Sequence, residues 1–176
     1  MNTTLDARPG FVIRDAGPGD VPAITAITNA LIETTTIEWR EEPYEVEERR
    51  VWLAGKTAGG WPVLVAEDGG EVVGWAAYGD FRDTARWPGY RYTVEHSVHV
   101  RRDHWGRGTG RLLLDALVDR AAAAGKRVMV AAVDADNAAA VAFHRRVGFV
   151  EVGHLPGVGS KFGRRLDLVL LQRELV

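Results

Sequence analysis

Apolar and polar residues alternate along this chain with two different periods, which predict helices and strands in mixed order. Apolar positions that recur every three or four residues predict four helices. They are a helix after the N-cap Asp20, a helix over Glu45–Lys56, a helix that follows Gly110 and ends at Gly125, and a helix from Asp136 to Gly148. Apolar runs and strict alternation predict strands. They cover Phe11–Arg14, Pro62–Glu67, Val72–Tyr78, Tyr90–Val100, Val128–Val133, Phe149–Gly153 and Leu166–Leu171.

The order of these elements predicts a mixed α/β fold. Asp68-Gly69-Gly70 stands between two predicted strands and is a strong hairpin signal, so the early strands should pair antiparallel. A strand–helix–strand–helix unit follows later in the chain. A polar loop over Asp80–Gly89 precedes the longest strand, and a glycine-rich loop separates the last two strands.

Length and charge narrow the class of protein. The chain has 176 residues and a net charge of −2, which suit one globular domain over residues 11–176 after a flexible N-terminus at residues 1–10. Near-neutral charge argues against nucleic acid or an anionic membrane as the main partner. No apolar run approaches the ~18 residues of a membrane-spanning helix, and Met1–Gly10 lacks the apolar stretch of a signal peptide. We therefore expect a cytoplasmic protein with no membrane partner.

A glycine-rich turn at Trp105–Gly110 is the first candidate site. A strand runs into alternating glycines, and a helix begins directly after them. Glycines allow a ligand to approach the backbone closely, and the free N–H groups of a helix start favour an anion such as pyrophosphate. Arg107 and Arg111 add positive charge. The alternative is a plain glycine-rich turn, since neither a Walker lysine nor the dinucleotide-binding glycine pattern is present.

The strand before this turn is the second candidate site. Because side chains alternate along a strand, one face carries Arg91, Thr93, Glu95, Ser97 and His99, and the other carries Tyr92, Val94, His96, Val98 and Val100. A polar face in mid-domain either meets water or lines a cleft. In a cleft, a partly desolvated Glu95 has a raised pKa and makes a general base. His96 and His99 face opposite ways, so we expect no metal pair from them. The chain also has no cysteine, which excludes a thiolate zinc site and a cysteine nucleophile.

The third candidate site runs from Asn137 to Phe149. Asn137 follows a buried strand at the point where a helix starts, so its side chain either caps that helix or reaches a ligand. His144 lies seven residues further on, on the same helix face. A lone histidine in this position is more often packed or exposed than catalytic.

Together the three sites resemble the GCN5-related N-acetyltransferase superfamily over nearly the whole chain. Trp105 departs from the glutamine or arginine that usually opens the phosphate-binding signature. Three segments are more closely similar to the phosphinothricin and methionine sulfone/sulfoximine N-acetyltransferases. They are Gly79–Arg82, Tyr90–Val98 with its Thr-Val-Glu-His-Ser-Val run, and Lys161–Leu168 with Lys-Phe-Gly-Arg. The resemblance implies an acetyltransferase fold with a central, mostly antiparallel twisted sheet and about four helices.

The resemblance also implies roles for individual residues. Glu95 would be the base, and His144 stands where many members place a tyrosine that protonates the leaving thiolate. Acetyl-CoA would be bound by Val98, His99, Val100, Gly106, Arg107, Gly108, Thr109, Gly110, Arg111 and Asn137. The acceptor would be lined by Arg82, Asp83, Thr84, Arg91, Glu95, His96 and Ser97. Lys161 and Arg164 would either join Arg82 and Arg91 in binding acceptor oxygens or be ordinary surface charges.

The function we expect is transfer of an acetyl group from acetyl-CoA to the α-amino group of a small amino-acid-like acceptor, with no metal and with a homodimer implied by the resemblance. Two other functions stay open. One is acetylation of a different small amine or a peptide N-terminus. The other is an acyl-CoA-binding module without catalysis, which the retained Glu95 and the polar strand face disfavour.

Overall fold

The computed structural model describes residues 10–175, so nearly all of the N-terminus expected to be flexible lies outside the described residues. The elements follow in the order β1 (Phe11–Asp15), α1 (Val21–Thr34), α2 (Val46–Ala58), β2 (Val63–Asp68), β3 (Glu71–Asp80), β4 (Thr93–Val100), α3 (Thr109–Ala123), β5 (Val128–Asp134), α4 (Ala138–Arg146), β6 (Val150–Lys161) and β7 (Arg164–Glu174). The four predicted helices are confirmed. None of the described helices is long and apolar enough to cross a membrane.

One seven-stranded sheet, in the order β1-β2-β3-β4-β5-β7-β6, forms the centre of the molecule. Every neighbouring pair is antiparallel except β4 and β5, which run parallel. The mixed α/β fold and the early hairpins predicted from the sequence are therefore confirmed.

Helices cover both faces of the sheet, because the interior strands bury side chains on both sides. The α3 and α4 face holds the larger apolar cluster, with Leu113, Leu117 and Met129 at its centre. The α1 and α2 face holds a smaller cluster around Ile24 and Trp75. The smaller cluster leaves part of its sheet face open, and the candidate site lies there.

The predicted glycine-rich loop between the last two strands is wrong. β6 continues through it as a strand of 12 residues and is joined to β7 by a tight turn at Phe162 and Gly163, both with positive φ. Two register shifts, after Glu151 and after Leu155, absorb the extra residues as bulges. The second bulge is held by the Gly157 N–H, which donates to the Asp167 carboxylate at 2.7 Å.

Two further expectations differ from the structure near α1 and β4. Asp20 does not cap α1 with its side chain; its carboxylate accepts from the Gly17 N–H and pairs with Arg14 at 2.7 Å. The long strand predicted from Tyr90 begins only at Thr93, because Pro88–Tyr90 forms a 3₁₀ turn. Arg91 therefore does not share the strand face of Glu95.

The sheet splits between its two parallel strands. β4 pairs with β5 only over Thr93–Glu95 and Val128–Val130. Beyond this point β4 stays with β3 as far as Val100, while β5 stays with β7 as far as Asp134. The two strands diverge, and we call the opening between 96–100 and 131–134 the wedge.

Candidate active site

Backbone groups of β4 line one side of the wedge. The Phe81 N–H donates to Thr93 at 3.3 Å and the Arg101 N–H donates to Val73 at 2.8 Å, so odd-numbered residues of β4 bond to β3. In an antiparallel pair the bonds alternate, and the even-numbered residues direct their N–H and C=O groups toward β5. Past the paired region these residues are His96, Val98 and Val100.

Backbone groups of β5 line the other side. The Ala135 N–H donates to Asp167 at 2.9 Å, which fixes the odd-numbered residues of β5 toward β7. Ala132 and Asp134 therefore face β4. The Asp134 carbonyl accepts from the Asn137 N–H at 2.9 Å, so Ala132 offers the open peptide groups. Sequence reasoning missed Ala132, because an alanine in a buried strand carries no chemical signal.

Not all of the expected cofactor residues on β4 face the wedge. His99 does not, because its backbone belongs to the odd set and its imidazole contacts Glu38 at 3.0 Å. The Val100 carbonyl already accepts from the indole N–H of Trp105 at 2.7 Å. Trp105 thus links the end of β4 to the turn that follows, and Val98 keeps both backbone groups toward the opening.

The glycine turn closes the open end of the wedge. Gly106 and Gly108 have φ of +74° and +83°, and a Cβ at either would meet nothing within 4 Å, so both border free space. α3 starts at Thr109, and its first intrahelical bond is the Leu112 N–H to Gly108 at 3.1 Å. The N–H groups of residues 109–111 precede that bond and make an anion site. The Thr109 hydroxyl is buried without a partner in the described structure.

Side chains of the turn and of α4 add to this site. Arg107 and Arg111 are exposed beside the turn, and Arg111 contacts Asp115 at 3.4 Å. Gly110 packs against Phe143 and Val100, which holds the start of α3 close to β4. The Oδ1 of Asn137 accepts from the Ala140 N–H at 3.0 Å, so this side chain caps α4.

A cleft opens on the opposite face of the same two strands. Ser97 and Ala132 are exposed although both lie in interior strands, and neighbouring side chains place them on the α1 and α2 face. Leu170, directly across from Ala132, continues the surface with an apolar side chain. We call this surface, with its floor at Ser97 and Ala132, the acceptor cleft.

Glu95 stands at one end of the acceptor cleft. It lies two residues before Ser97 on the same strand face and is half-buried. Burial raises the pKa of its carboxyl, and the positive charge of Arg82 offsets part of that rise. A half-buried carboxylate with a raised pKa beside an open cleft has the properties of a general base.

The loop before β4 brings only Arg82 toward Glu95. The Asp83 carboxylate accepts from the N–H groups of Ala85 and Arg86 and stabilises its own turn. The Thr84 hydroxyl donates to Asp80 at 2.6 Å. Arg91 is exposed and donates to the Pro88 carbonyl. These three residues are held by local contacts rather than in the cleft.

His96 and His144 lie on the other face of the sheet, packed together with ring centroids 5.2 Å apart. Burial, with the nearby His144 and His99, lowers the pKa of His96 to about 3. The expectation that the His96 side chain lines the acceptor is wrong, because even-numbered side chains of β4 point to the α3 and α4 core.

The His144 ring is also buried and neutral. Burial lowers its pKa, and its Nδ1 contacts the Ala140 carbonyl at 2.8 Å. A neutral ring that donates from Nδ1 carries no proton on Nε2, and this nitrogen is buried without a partner. The geometry does not suit a group that protonates a leaving thiolate.

The two basic residues of the last hairpin have structural contacts. Lys161 is fully buried, and its ammonium donates to the carbonyls of Ile32, Thr35 and Glu38 at 2.6–2.8 Å. It therefore caps the C-terminus of α1, where a cation is favoured. Arg164 is exposed and pairs with Asp136 at 2.9 Å. Neither side chain reaches the acceptor cleft.

The segment after α1 crosses the wedge on the cleft side. The Thr36 hydroxyl bonds the Asp134 carboxylate on β5, and Glu38 contacts His99 on β4. We call residues 35–41 the bridging segment. A cavity of about 460 Å³ lies beside it, lined by Thr34, Thr35, Thr36, Ile37, Arg102, Trp105, Asp134, Asp136, Asn137, Phe162 and Arg164. Within residues 10–175, no three potential ligands come together to hold a metal ion.

Comparison with known proteins decides the class of this site. The profile of the Acetyltransferase (GNAT) family matches residues 24–149. The chain belongs to this family. The predicted acetyltransferase fold, the acetyltransferase class and acetyl-CoA as co-substrate are therefore confirmed.

Individual relatives are similar to this chain in sequence over almost its full length. The L-methionine sulfoximine/L-methionine sulfone acetyltransferase of Pseudomonas aeruginosa is 49% identical over 164 residues, which cover 93% of this chain and 94% of the relative. The phosphinothricin N-acetyltransferase of Alcaligenes faecalis is 39% identical over 170 residues, 96% of this chain and 85% of the relative. An acetyltransferase from Salmonella typhimurium, solved with its cofactor acetyl-CoA, has a TM-score of 0.90 at 42% identity and covers 95% of both chains.

Proposed function

We propose that this acetyltransferase acts on the α-amino group of a small amino-acid-like acceptor of the methionine sulfone, methionine sulfoximine or phosphinothricin type. The observation that carries the proposal is the position of Glu95, half-buried at the end of an open cleft that adjoins the wedge. The names of the relatives at 49% and 39% identity support the choice of acceptor.

Acetyl-CoA fits the wedge and the glycine turn by the chemistry of their donors. The N–H groups at the start of α3 would bind the pyrophosphate, with charge from Arg107 and Arg111. The Val98 carbonyl and the backbone groups of Ala132 would bind the amides of the pantetheine arm. When bound, acetyl-CoA supplies the activated acetyl group as a thioester.

Glu95 prepares the acceptor for attack. An α-amino group is mostly an ammonium ion at neutral pH, and only the neutral amine is nucleophilic. Glu95 removes one proton from the ammonium, directly or through water. The amine nitrogen then forms a bond to the acetyl carbon as the carbon–sulfur bond breaks. The second proton leaves the nitrogen and is taken up by the thiolate, through solvent rather than through His144. Backbone N–H groups of the wedge, Val98 first, stabilise the charge on the carbonyl oxygen.

The rest of the cleft supports an acceptor with a short polar head. Arg82 carries a guanidinium near Glu95, and such a group pairs well with a carboxylate or an oxygenated sulfur or phosphorus head. The small side chains of Ser97 and Ala132 leave room above the strands, and Leu170 adds an apolar surface for an aliphatic stem.

The test is thiol release from acetyl-CoA with a panel of amines. The panel holds methionine sulfone, methionine sulfoximine, phosphinothricin, plain amino acids, spermidine and an N-terminal peptide. We expect kcat/KM on the first three to exceed the others by at least tenfold. Preference for spermidine or the peptide would overturn the acceptor, and binding of acetyl-CoA without turnover would favour the non-catalytic module.

We also propose that the chain is a homodimer. β6 is the outer strand of the sheet, and its exposed apolar side chains include Val150, Val152 and Val158. A long, apolar sheet edge of this kind pairs readily with another chain. Light scattering should give a dimer for the wild type and a monomer for Val152→Lys. Val12→Lys, at the opposite edge of the sheet, should remain dimeric, and a monomeric wild type would contradict the proposal.

The cytoplasm is the compartment we propose for the reaction, since this is where acetyl-CoA meets free amino acids. Fractionation of cells that express the tagged protein tests this directly. Recovery in the membrane or extracellular fraction would contradict it.

A further inference from the structure

The acceptor cleft has a second carboxylate at the end opposite Glu95. The floor runs along β4 from Glu95 past Ser97 to His99, a distance of about 13 Å at ~3.3 Å per residue. At the far end Glu38, from the bridging segment, contacts the Nε2 of His99 at 3.0 Å. The exposed Ser97 therefore lies between two carboxylates that come from distant parts of the chain.

Several contacts fix the Glu38 carboxylate in place. His99 is buried and packs edge-on against Trp75, with ring centroids 4.7 Å apart, so it gives Glu38 a rigid partner. The Glu38 side chain is still 28% exposed, and His99 does not enclose it. One carboxylate oxygen accepts from a histidine, while the group as a whole remains open to a second partner.

The backbone that carries Glu38 is equally constrained. The Lys161 ammonium bonds the Glu38 carbonyl at 2.6 Å and two carbonyls at the end of α1. One residue further on, the Trp39 ring packs over Gly159, where any Cβ would collide with it. Lys161 and Gly159 on β6 are positioning residues for Glu38.

The two carboxylates differ in their electrostatic environment. Burial raises the pKa of Glu95. For Glu38, burial acts in the same direction, but the hydrogen bond from His99 and the charges of Arg49 and Lys161 outweigh it and lower the pKa. Glu95 is thus the group that accepts a proton, while Glu38 stays ionised. Environments that separate two carboxyl groups in this way assign them different roles.

We propose that Glu38 binds the ammonium group of the incoming acceptor above Ser97, and so selects amines against their acetylated products. The proposal rests on the proposed function, because it takes the acceptor to be an amine that arrives protonated. An anion at this point attracts the ammonium and then releases the neutral amide once the reaction is complete. Glu38 holds the group, and Glu95 deprotonates it.

Equilibrium binding to the complex with CoA tests the proposal without turnover. The probes are methionine sulfone, which has an ammonium, and N-acetyl-methionine sulfone, which has an amide in its place. In Glu38→Gln, which keeps an oxygen for His99, we expect the Kd of the amine to rise about tenfold, the size of a charge-assisted hydrogen bond. The Kd of the acetylated product should change less than twofold. Glu38→Asp, which keeps the charge, should recover part of the amine affinity.

Glu41→Gln is the matched control. Glu41 lies in the same bridging segment and also accepts one hydrogen bond, from the Phe162 N–H at 3.1 Å, but its side chain is exposed and this bond joins it to the turn between β6 and β7. Both probes should bind this variant as they bind the wild type.

Each result has one meaning. Equal weakening of amine and amide in Glu38→Gln assigns Glu38 a purely structural role and overturns the proposal. Unchanged binding of both probes, or no binding of the amine to the wild type, overturns it as well. Failure of the proposed function is read separately, in the turnover assay: a wild type that binds the amine through Glu38 but releases no thiol would retain the binding role and lose the reaction.

Discussion

The two halves of the site are built in different ways. The half proposed to bind acetyl-CoA consists mainly of peptide groups: the edges of β4 and β5 and the first turn of α3, all contributed by residues 96–137. The half for the acceptor consists of side chains that meet from remote parts of the chain, such as Glu38, Glu95 and Leu170. On the proposed function, acetyl-CoA would be bound by backbone groups that many sequences can supply, while the acceptor would be bound by side chains that substitution can change.

This difference predicts that damage to one half should spare the other. A change on the floor of the acceptor cleft should alter chemistry or acceptor binding and leave the affinity for acetyl-CoA unchanged. A change in the glycine turn should do the reverse. Three substitutions test the separation, from the largest expected effect to the smallest.

Glu95→Gln should have the largest effect. The amide keeps the shape of the side chain but cannot take a proton, so kcat should fall by about 10²–10⁴-fold. The Kd of acetyl-CoA, measured by calorimetry, should stay within twofold of the wild type. Glu174→Gln, at the exposed end of β7, should change neither quantity.

The pH profile sharpens the same test. Glu95 must be ionised to act as a base, so activity is lost as pH falls through its pKa. Because burial raises that pKa, the acid limb of kcat/KM should lie above the value of about 4.3 for an ordinary glutamate. If the acid limb of the kcat/KM profile disappears in Glu95→Gln, the assignment of Glu95 as the base is supported. If the acid limb is unaltered in this variant, Glu95 is not the base.

Lys161→Met should affect the acceptor half indirectly, because Lys161 holds the backbone that carries Glu38. The change leaves one buried and two partly buried carbonyls without this donor, and we expect a loss of about 3 kcal/mol in the free energy of unfolding. That loss lowers Tm by roughly 6–12 °C for a chain of this size. The KM of the acceptor should rise while the Kd of acetyl-CoA holds.

Lys126→Met is the control for this variant. Lys126 also donates to a carbonyl, that of Arg91 at 2.8 Å, but it does so in an exposed position. We expect its stability to change by less than about 0.5 kcal/mol. If the free energy of unfolding falls equally in both lysine variants, the Lys161 cap on α1 stabilises the fold no more than an exposed lysine contact does.

Gly108→Ala should have the smallest effect and be confined to the acetyl-CoA half. The positive φ at residue 108 costs a non-glycine residue about 1 kcal/mol, and the new methyl group would project into the free space before α3. We expect the Kd of acetyl-CoA to rise about tenfold, equivalent to 1.4 kcal/mol.

Gly125→Ala separates backbone strain from ligand contact. Gly125 has a φ of +74° with open space around it, but it lies after the far end of α3. The free energy of unfolding of Gly125→Ala should fall as it does in Gly108→Ala, while the Kd of acetyl-CoA should stay at the wild-type value. Equal loss of acetyl-CoA affinity in both variants would contradict the assignment of the glycine turn to the acetyl-CoA site.

Sequence reasoning located those elements of the candidate site that depend on local pattern. The glycine turn and the strand of Glu95 could be located because their residues are contiguous and their backbone geometry follows from glycine and strand alternation. The wedge could not be derived, since it depends on where β4 stops pairing with β5, and no local pattern encodes that. The proposed role of Glu38 could not be derived for the same reason: its partners His99 and Lys161 lie 61 and 123 positions away in the chain.

Lys161 and the bulged β6 show a further limit. Lys-Phe-Gly-Arg is one of the segments that carry the resemblance, but its lysine points inward and caps α1 rather than lining the acceptor cleft. The glycines before it suggested a loop, yet two bulges keep β6 in the sheet. Charge and glycine content alone do not tell whether a side chain faces a ligand or the protein.

The packed imidazoles of His96 and His144 make the fold vulnerable to acid. Both rings are held neutral, with pKa values lowered by burial, that of His96 to about 3. In the unfolded chain each would bind a proton near pH 6.5. As the pH falls from that value towards 3, the unfolded state is stabilised by about 1.4 kcal/mol per pH unit through His96, and His144 adds to the loss in the same direction. Urea titrations at pH 7 and pH 5 should show this loss of stability, and His96→Phe should reduce it. The proton thus acts on this protein as a denaturant through two imidazoles packed in the α3 and α4 core.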